Sequence, residues 1–380
     1  MKISSLLLIL AAVLGCSAAL EAKEPPRLLL PDEFYAVPGI EANVYFKNVF
    51  KTIDHNRFFF QVKCAKGSLW KNYWTYTPAA KDVGVYDWTL TVFDDNGKVA
   101  EKSMKLKVVP VQKLPQGASI LMIGDSLTDQ SHYVRQLRKL LPALTMVGSN
   151  GGMGKNPAET GIAHEGYGGW RWDSFAKRSK PFIPKRLSYR YNKFLIEKNG
   201  CWIHSFKAYF DKYAKGKVPD FITIQLGGND VFSMTDDNVD KGIAEISGNM
   251  DILVKAIRQD APNAFIGIGL TPTPAGQDAW GKGYGCKNNS FQFMKNRWKL
   301  NQMYMRKVAE WAKKDKKIFI VPVVLGLDPD NGYPVAPWRA NSRSSRKVMV
   351  QRNALHPNAE GGAQIGDIYY CWIMKCLSGK

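Results

Sequence analysis

Four short segments carry residues whose types could do chemistry together. They are Ser126 in "GDSLTD", Gly169 in "HEGYGGW", Asn229 in "GGND" and His356 in "NALHPNAEGG". A serine hydroxyl is a weak nucleophile until a base takes its proton. His356, one of only five histidines, is the candidate base. Attack on an ester carbonyl creates an oxyanion, which needs donors held in place beforehand. A tight turn would expose the Ser126 N–H, Gly169 can present an unobstructed N–H, and Asn229 can add a side-chain N–H. Singly, each has a plainer reading: Ser126 and Asn229 as caps, Gly169 as a turn residue with Gly168 as its rival, His356 as a solvated loop residue. Together they describe a serine hydrolase assembled from dispersed parts.

Such parts need a scaffold that gathers them. "SILMIGDS", "LTMVGS", "DFITIQLGGND", "AFIGIGL" and "KIFIVPV" are apolar runs suited to buried strands. "SHYVRQLRKLL", "VDKGIAEISGNMDILVKAIRQ", "FQFMKNRWKLNQMYMRKVAEWAKK" and "GGAQIGDIYYCWIMKCL" have helical spacing between them. This alternation predicts a parallel sheet covered on both faces, with ligands outside the carboxyl ends of the strands. Ser126 follows the first strand, Asn229 the third, and His356 precedes the last helix. Residues 150 to 200 are expected to be a long irregular stretch. Upstream, residues 25 to 112 have β character: "ANVYFKNVF", "RFFFQVKCA", "YDWTLTVFDD" and "KSMKLKVVP", with a turn at "DDNGK". They predict a small β-sandwich, loosely like bacterial immunoglobulin-like modules. "VPVQKLPQG" at 109 to 117 reads as a linker.

With these motifs placed, the sequence resembles the SGNH or GDSL hydrolase family. "GDSLTD", "EGYGGW", "GGND" and "NALHPN" match its four blocks in family order across residues 118 to 376. The resemblance implies a flavodoxin-like three-layer α/β/α domain over 117–380 and hydrolysis through an acyl-enzyme on Ser126. It implies His356 as base and Ser126, Gly169 and Asn229 as the oxyanion hole. One position departs. The family carries an aspartate three residues before the histidine, and here it is Asn353. Asn353 can accept a bond from the imidazole but brings no charge to an imidazolium. Three accounts stay open: a working Ser-His dyad helped by a backbone carbonyl, a carboxylate supplied from elsewhere, or a weakened enzyme. Asp125 and Asp230 are expected to hold their turns. Trp170, Tyr167 and His164 are candidate substrate contacts, although a histidine like His164 more often braces a loop. The stretch "KRSKPFIPKRLSYRYNK" at 177 to 193 is either a basic, aromatic rim or a solvated insertion.

Of the 380 residues, 45% are hydrophobic and 23% charged, with a net charge of +20. That fits a globular chain with either an acidic partner (an acidic polysaccharide, an anionic envelope surface or nucleic acid) or simply a basic solvated surface, between which charge alone does not choose. No nucleic-acid-binding motif accompanies the charge. Residues 1–22 read as an export signal, too short to span a membrane. "VLGC" offers a lipid anchor at Cys16 as the alternative to ordinary cleavage. The expected setting is periplasmic, extracellular or lipid-anchored at a bacterial surface. Of the other five cysteines, Cys371 and Cys376 would lie roughly 8 to 9 Å apart on a helix, too far to bridge, and Cys201 with Cys286 is an unsupported pairing. No spacing suggests a metal site, and no cofactor is expected. The expected substrate is an acylated carbohydrate, most plainly an acetyl ester. The competing readings are a binding protein on a hydrolase scaffold, an acyl transferase or a lipase-type member.

Overall fold

The computed structural model describes residues 27–177 and 188–379. The expected export signal, Cys16 and residues 178–187 of the basic stretch lie outside the described residues.

Seven strands come first: β1 Glu33–Ala36, β2 Ala42–Tyr45, β3 Phe59–Cys64, β4 Ser68–Leu69, β5 Tyr73–Tyr76, β6 Gly84–Asp94 and β7 Gly97–Val108. They make one sheet in the order β1-β7-β6-β3 and another in the order β2-β5-β4. Every pair is antiparallel except β1 with β7. Period-two patterning drives this. Trp88, Leu90 and Val92 of β6, and Met104, Leu106 and Val108 of β7, go to the core. The β6–β7 hairpin turns at Asp95–Asn96, where Asp94 Oδ1 accepts the Asn96 N–H at 2.8 Å and Gly97 takes φ +122°. "ANVYFKNVF" is not one strand. A helical turn at Phe46–Val49 follows β2 because it sends Phe46, Val49 and Phe50 to the same interior side.

A six-stranded sheet follows, built from β8 Ser119–Gly124, β9 Thr145–Val147, β10 Glu165–Gly166, β13 Phe221–Gln225, β14 Phe265–Gly269 and β15 Ile318–Val321. All its pairs are parallel. The order is β10-β8-β13-β14-β15, with β9 pairing the first half of the β8 edge whose end takes β10. Taking β9 and β10 as one lane, this is the 2-1-3-4-5 order of the flavodoxin-like fold, whose switch point lies between β8 and β13. All six residues of β8 are buried, as a strand covered on both faces requires. Helix His132–Leu140 packs with helix Ala359–Ser378, where Tyr133 stacks on Tyr369. Helix Val239–Asp260 packs with helix Ser290–Lys314. The expected α/β/α domain and small β unit are both present.

Two hairpins were not anticipated: β11 Leu195–Lys198 with β12 Cys201–His204, and β16 Val335–Arg339 with β17 Lys347–Gln351. The β unit is docked rather than tethered. Asn48 Nδ2 donates to the Leu327 carbonyl at 2.7 Å, and Lys47 pairs with Asp330 at 2.6 Å. The buried Arg297 guanidinium reaches the carbonyls of Asn48 and Thr271, each at 3.5 Å. Even the linker is held: Val109 N–H bonds Ala36 O at 2.9 Å, and Gln112 N–H approaches the Met374 sulfur at 3.3 Å. None of the five described cysteines is joined in a disulfide among the described residues. Cys371 and Cys376 are buried in the core, while Cys201 and Cys286 are exposed.

Candidate active site

Ser126 begins a helical turn at the end of β8. Its preceding residue, Asp125, accepts the Leu127 N–H at 2.9 Å and so caps that turn. The Ser126 N–H is left with no partner among the described residues. His356 lies in the loop before the last helix, which Asn358 caps through the Gly361 N–H. Across 230 positions of sequence, His356 Nε2 and Ser126 Oγ meet at 2.8 Å.

Asn353 settles the histidine's protons. Its Oδ1 faces the N–H groups of Leu355 at 3.1 Å and His356 at 3.0 Å, and also His356 Nδ1 at 3.1 Å. A backbone N–H can only donate, so the Asn353 atom facing it is the carbonyl oxygen, not the NH2 group. That oxygen must then accept from Nδ1–H. Nε2 is left with its lone pair toward the Ser126 hydroxyl, the tautomer a general base needs. In another serine hydrolase, asparagine in place of the triad aspartate costs about 10⁴ in turnover, with a wrong tautomer as part of the loss. Here the two backbone donors prevent that part. Burial holds the His356 pKa below the ordinary imidazole value, and no carboxylate opposes it. Of the three accounts left open by the sequence, the geometry comes nearest to the dyad, but the carbonyl that faces Nδ1 is that of the Asn353 side chain and not a backbone one.

The donor side is equally defined. The Gly168 N–H is spent on Asp129 Oδ2 at 3.1 Å. Gly169, at φ +82° and exposed, has no hydrogen-bond partner for its N–H among the described residues. Asn229 Nδ2 gives one hydrogen to the Trp170 carbonyl at 2.9 Å, which leaves the other free and ties Asn229 to the residue after Gly169. β10 brings this loop to β8: Gly166 pairs with Gly124, and the Tyr167 N–H bonds Gly124 O at 3.0 Å. Ser126 and Asn229 line one small cavity of about 30 Å³ with Pro272, Pro274, Phe293, Tyr333 and Leu355. A wider polar cleft of about 560 Å³ is lined by His356 itself with Gln130, His132, Arg135, Lys155, Asn353 and Asn358, among others.

Three expected substrate contacts line neither of these cavities. His164 is fully buried; Nδ1 accepts the Gly166 N–H at 3.0 Å and Nε2 bonds Ser131 Oγ at 2.9 Å. Burial lowers its pKa to about 3, so it stays neutral. Tyr167 is buried with its hydroxyl on Glu165 and Lys193. The Trp170 ring packs against Tyr167 and Phe175, and its contribution is its carbonyl. Each apolar or imidazole ring is more stable in the loop's interior than at its surface. Asp230 also differs. Its Oδ1 accepts the Trp172 N–H at 3.1 Å, bracing the glycine loop rather than its own turn.

Asp129, the second acid of "GDSLTD", is the residue sequence reasoning missed. Its carboxylate takes Asn150 Nδ2 at 2.8 Å, the Met153 N–H at 2.9 Å, the Gly168 N–H and the Tyr189 hydroxyl at 3.2 Å. Arg190, 3.6 Å from Asp129, donates in turn to Gly168 O at 2.8 Å. The end of the basic stretch therefore clamps the glycine loop. The only signal was a carboxylate three residues after the serine, which is too common to single out. Among the described residues no three His, Cys, Asp or Glu side chains cluster as metal ligands, and no helix is long and apolar enough to cross a membrane.

Residues 120–368, more than half of the chain, match the family described as GDSL-like Lipase/Acylhydrolase. The chain belongs to that family. This GDSL hydrolase is an ester-hydrolysing serine enzyme. No curated protein matches it. Among solved structures it is similar to a Clostridium thermocellum family 3 carbohydrate esterase, at 17% identity over 69% of this chain and 100% of that one, TM-score 0.42. A Clostridium thermocellum family two carbohydrate esterase in complex with cellohexaose matches at 14% identity over 90% and 94%, TM-score 0.41. An acetyl xylan esterase from the rumen bacterium Butyrivibrio proteoclasticus matches at 13% identity over 93% and 94%, TM-score 0.38.

Proposed function

We propose that this hydrolase removes acetyl groups from a carbohydrate through an acyl-enzyme on Ser126. The observation that carries the reading is the 2.8 Å approach of Ser126 Oγ to a His356 Nε2 whose tautomer is fixed by Asn353. As Oγ bonds to the acetyl carbon, its proton passes to Nε2. The carbonyl oxygen gains the negative charge and takes hydrogen bonds from the N–H groups of Ser126, Gly169 and Asn229. The imidazolium then protonates the departing sugar oxygen as the ester C–O bond breaks. Water repeats the attack, with its proton going to Nε2. Acetate leaves and Oγ recovers the proton. A cavity of about 30 Å³ beside Ser126 suits a group the size of a methyl, not a long acyl chain. The wide polar cleft suits a hydroxyl-rich leaving group. Export by residues 1–22 belongs to this reading, since wall and envelope polysaccharides lie outside the cytoplasm.

The test is turnover of a chromogenic acetyl ester and release of acetate from acetylated glycans. Ser126→Ala should abolish both, a loss of roughly 10³-fold or more. Glycan binding with no turnover by the wild type would instead mark a binding protein on a hydrolase scaffold.

A further inference from the structure

Between Asp330 and Glu360 the chain has no acidic residue and five cations: Arg339, Arg343, Arg346, Lys347 and Arg352. All five are exposed, and none has a carboxylate partner among the described residues. They are carried by the β16–β17 hairpin and the residue after it. The hairpin's base is closed by the Arg352 N–H on Pro334 O at 2.8 Å. Pro334 and Asn353, at the two feet of the hairpin, both line the cleft beside His356. Inside that cleft Arg135 and Lys155 are also exposed and unpaired by any carboxylate among the described residues; Arg135 gives one hydrogen to Gln130 O at 3.1 Å. The one carboxylate lining the cleft, Asp129, is buried and already saturated by its own donors. Trp338 stands 47% exposed on the hairpin beside Lys282, whose ammonium lies 4.1 Å from the ring centre.

We propose that the substrate is an acylated, negatively charged polysaccharide. An anionic substituent seats between Arg135 and Lys155 next to the ester, and the polymer runs on over the basic hairpin. This deepens the esterase reading of Ser126 and rests on it. Cations concentrated on one side of a catalytic cleft raise the local concentration of a polyanion and steer it in. The polyanion presented to Ser126 must also carry an acyl ester, a combination found in glycans bearing uronate or sulfate groups and not in ordinary nucleic acid. Carboxylate and sulfate share the chemistry that Arg135 and Lys155 would recognise, so the experiment separates them.

The full-length protein is assayed on an acetylated polyuronate, an acetylated sulfated glycan and an acetylated neutral xylan, at about 0.01 M and about 1 M salt. Each rate is divided by that of the same protein on a small neutral acetyl ester. The expected result is a preference of at least roughly tenfold in kcat/KM for a charged glycan at low salt, lost at high salt. The preferred glycan identifies the anion. Arg135→Ala with Lys155→Ala should remove the preference through KM. Arg343→Glu with Arg346→Glu, at exposed positions that do not threaten folding, should weaken polymer binding at least tenfold. Binding of the deacetylated polymers, read by affinity electrophoresis, does not depend on turnover. A wild type that cleaves the small ester but neither prefers nor binds charged glycans overturns the proposal alone. Displacement of the glycan by duplex DNA at equal charge concentration overturns it in favour of a nucleic-acid surface. Binding without any ester cleavage leaves the anionic surface standing and brings down the esterase reading instead.

Discussion

At the residue scale, Asn353 decides how the enzyme behaves with pH. It supplies the orientation that a triad aspartate supplies and withholds the charge. With burial alone acting on His356, the imidazole stays neutral and able to accept a proton at pH values where an ordinary histidine is half protonated. The acid limb of the pH–rate profile should therefore fall below about pH 6.5. Asn353→Asp adds a charge that favours the imidazolium. It should shift that limb upward and preserve or raise kcat on the small ester. Asn353→Leu removes the acceptor and frees both tautomers, which should cost roughly 10²- to 10⁴-fold. Ser126 and His356 were legible in sequence because each sits in a motif that chemistry constrains. The pinning of Asn353 was not, because it depends on the curvature of a loop that brings two backbone N–H groups onto one oxygen.

At the element scale, the glycine loop between β10 and the turn Trp172–Ala176 is held from below by Asp129, Asp230 and Arg190 so that one N–H stays free. Gly169→Ala meets no atom within 4 Å, so its penalty is conformational: a side chain at φ +82° costs about 1 kcal/mol. Turnover should fall more than stability does, by up to roughly 10²-fold, if the backbone shifts and withdraws the donor. Asp129→Asn keeps the shape but leaves one oxygen for donors that two now share. It should lower both kcat and melting temperature, and kcat should fall further. The apolar strands and long helices were legible because each buries a continuous or periodic face. The hairpins β11–β12 and β16–β17 were not, because short, solvent-facing strands carry little alternation to detect.

At the scale of the whole molecule, buried ionisable groups set the pH range of stability. Burial lowers the His164 pKa to about 3, so the unfolded chain binds that proton more readily and stability falls as pH drops below 6.5. Burial raises Asp125 and Asp230 to about 7, so stability falls as pH rises from the ordinary aspartate range toward 7. Asp230→Asn cannot ionise. Its melting temperature relative to wild type should therefore improve from pH 4 to pH 8, in thermal scans at matched ionic strength. The docking of the β unit onto the hydrolase domain was hidden in the sequence, because the two partners lie hundreds of positions apart and Arg297 gives no pattern of its own. Helix Ala359–Ser378 joins these themes. It follows directly from His356, stacks Tyr369 on Tyr133, takes Gln112 against Met374 and sets Lys375 over Phe319 and Tyr35. A ribosome-bound chain halted just before His356 lacks both its proton acceptor and the helical wall on which both halves close. Catalytic competence during biosynthesis thus arrives together with completion of the interior, and a truncated product has neither.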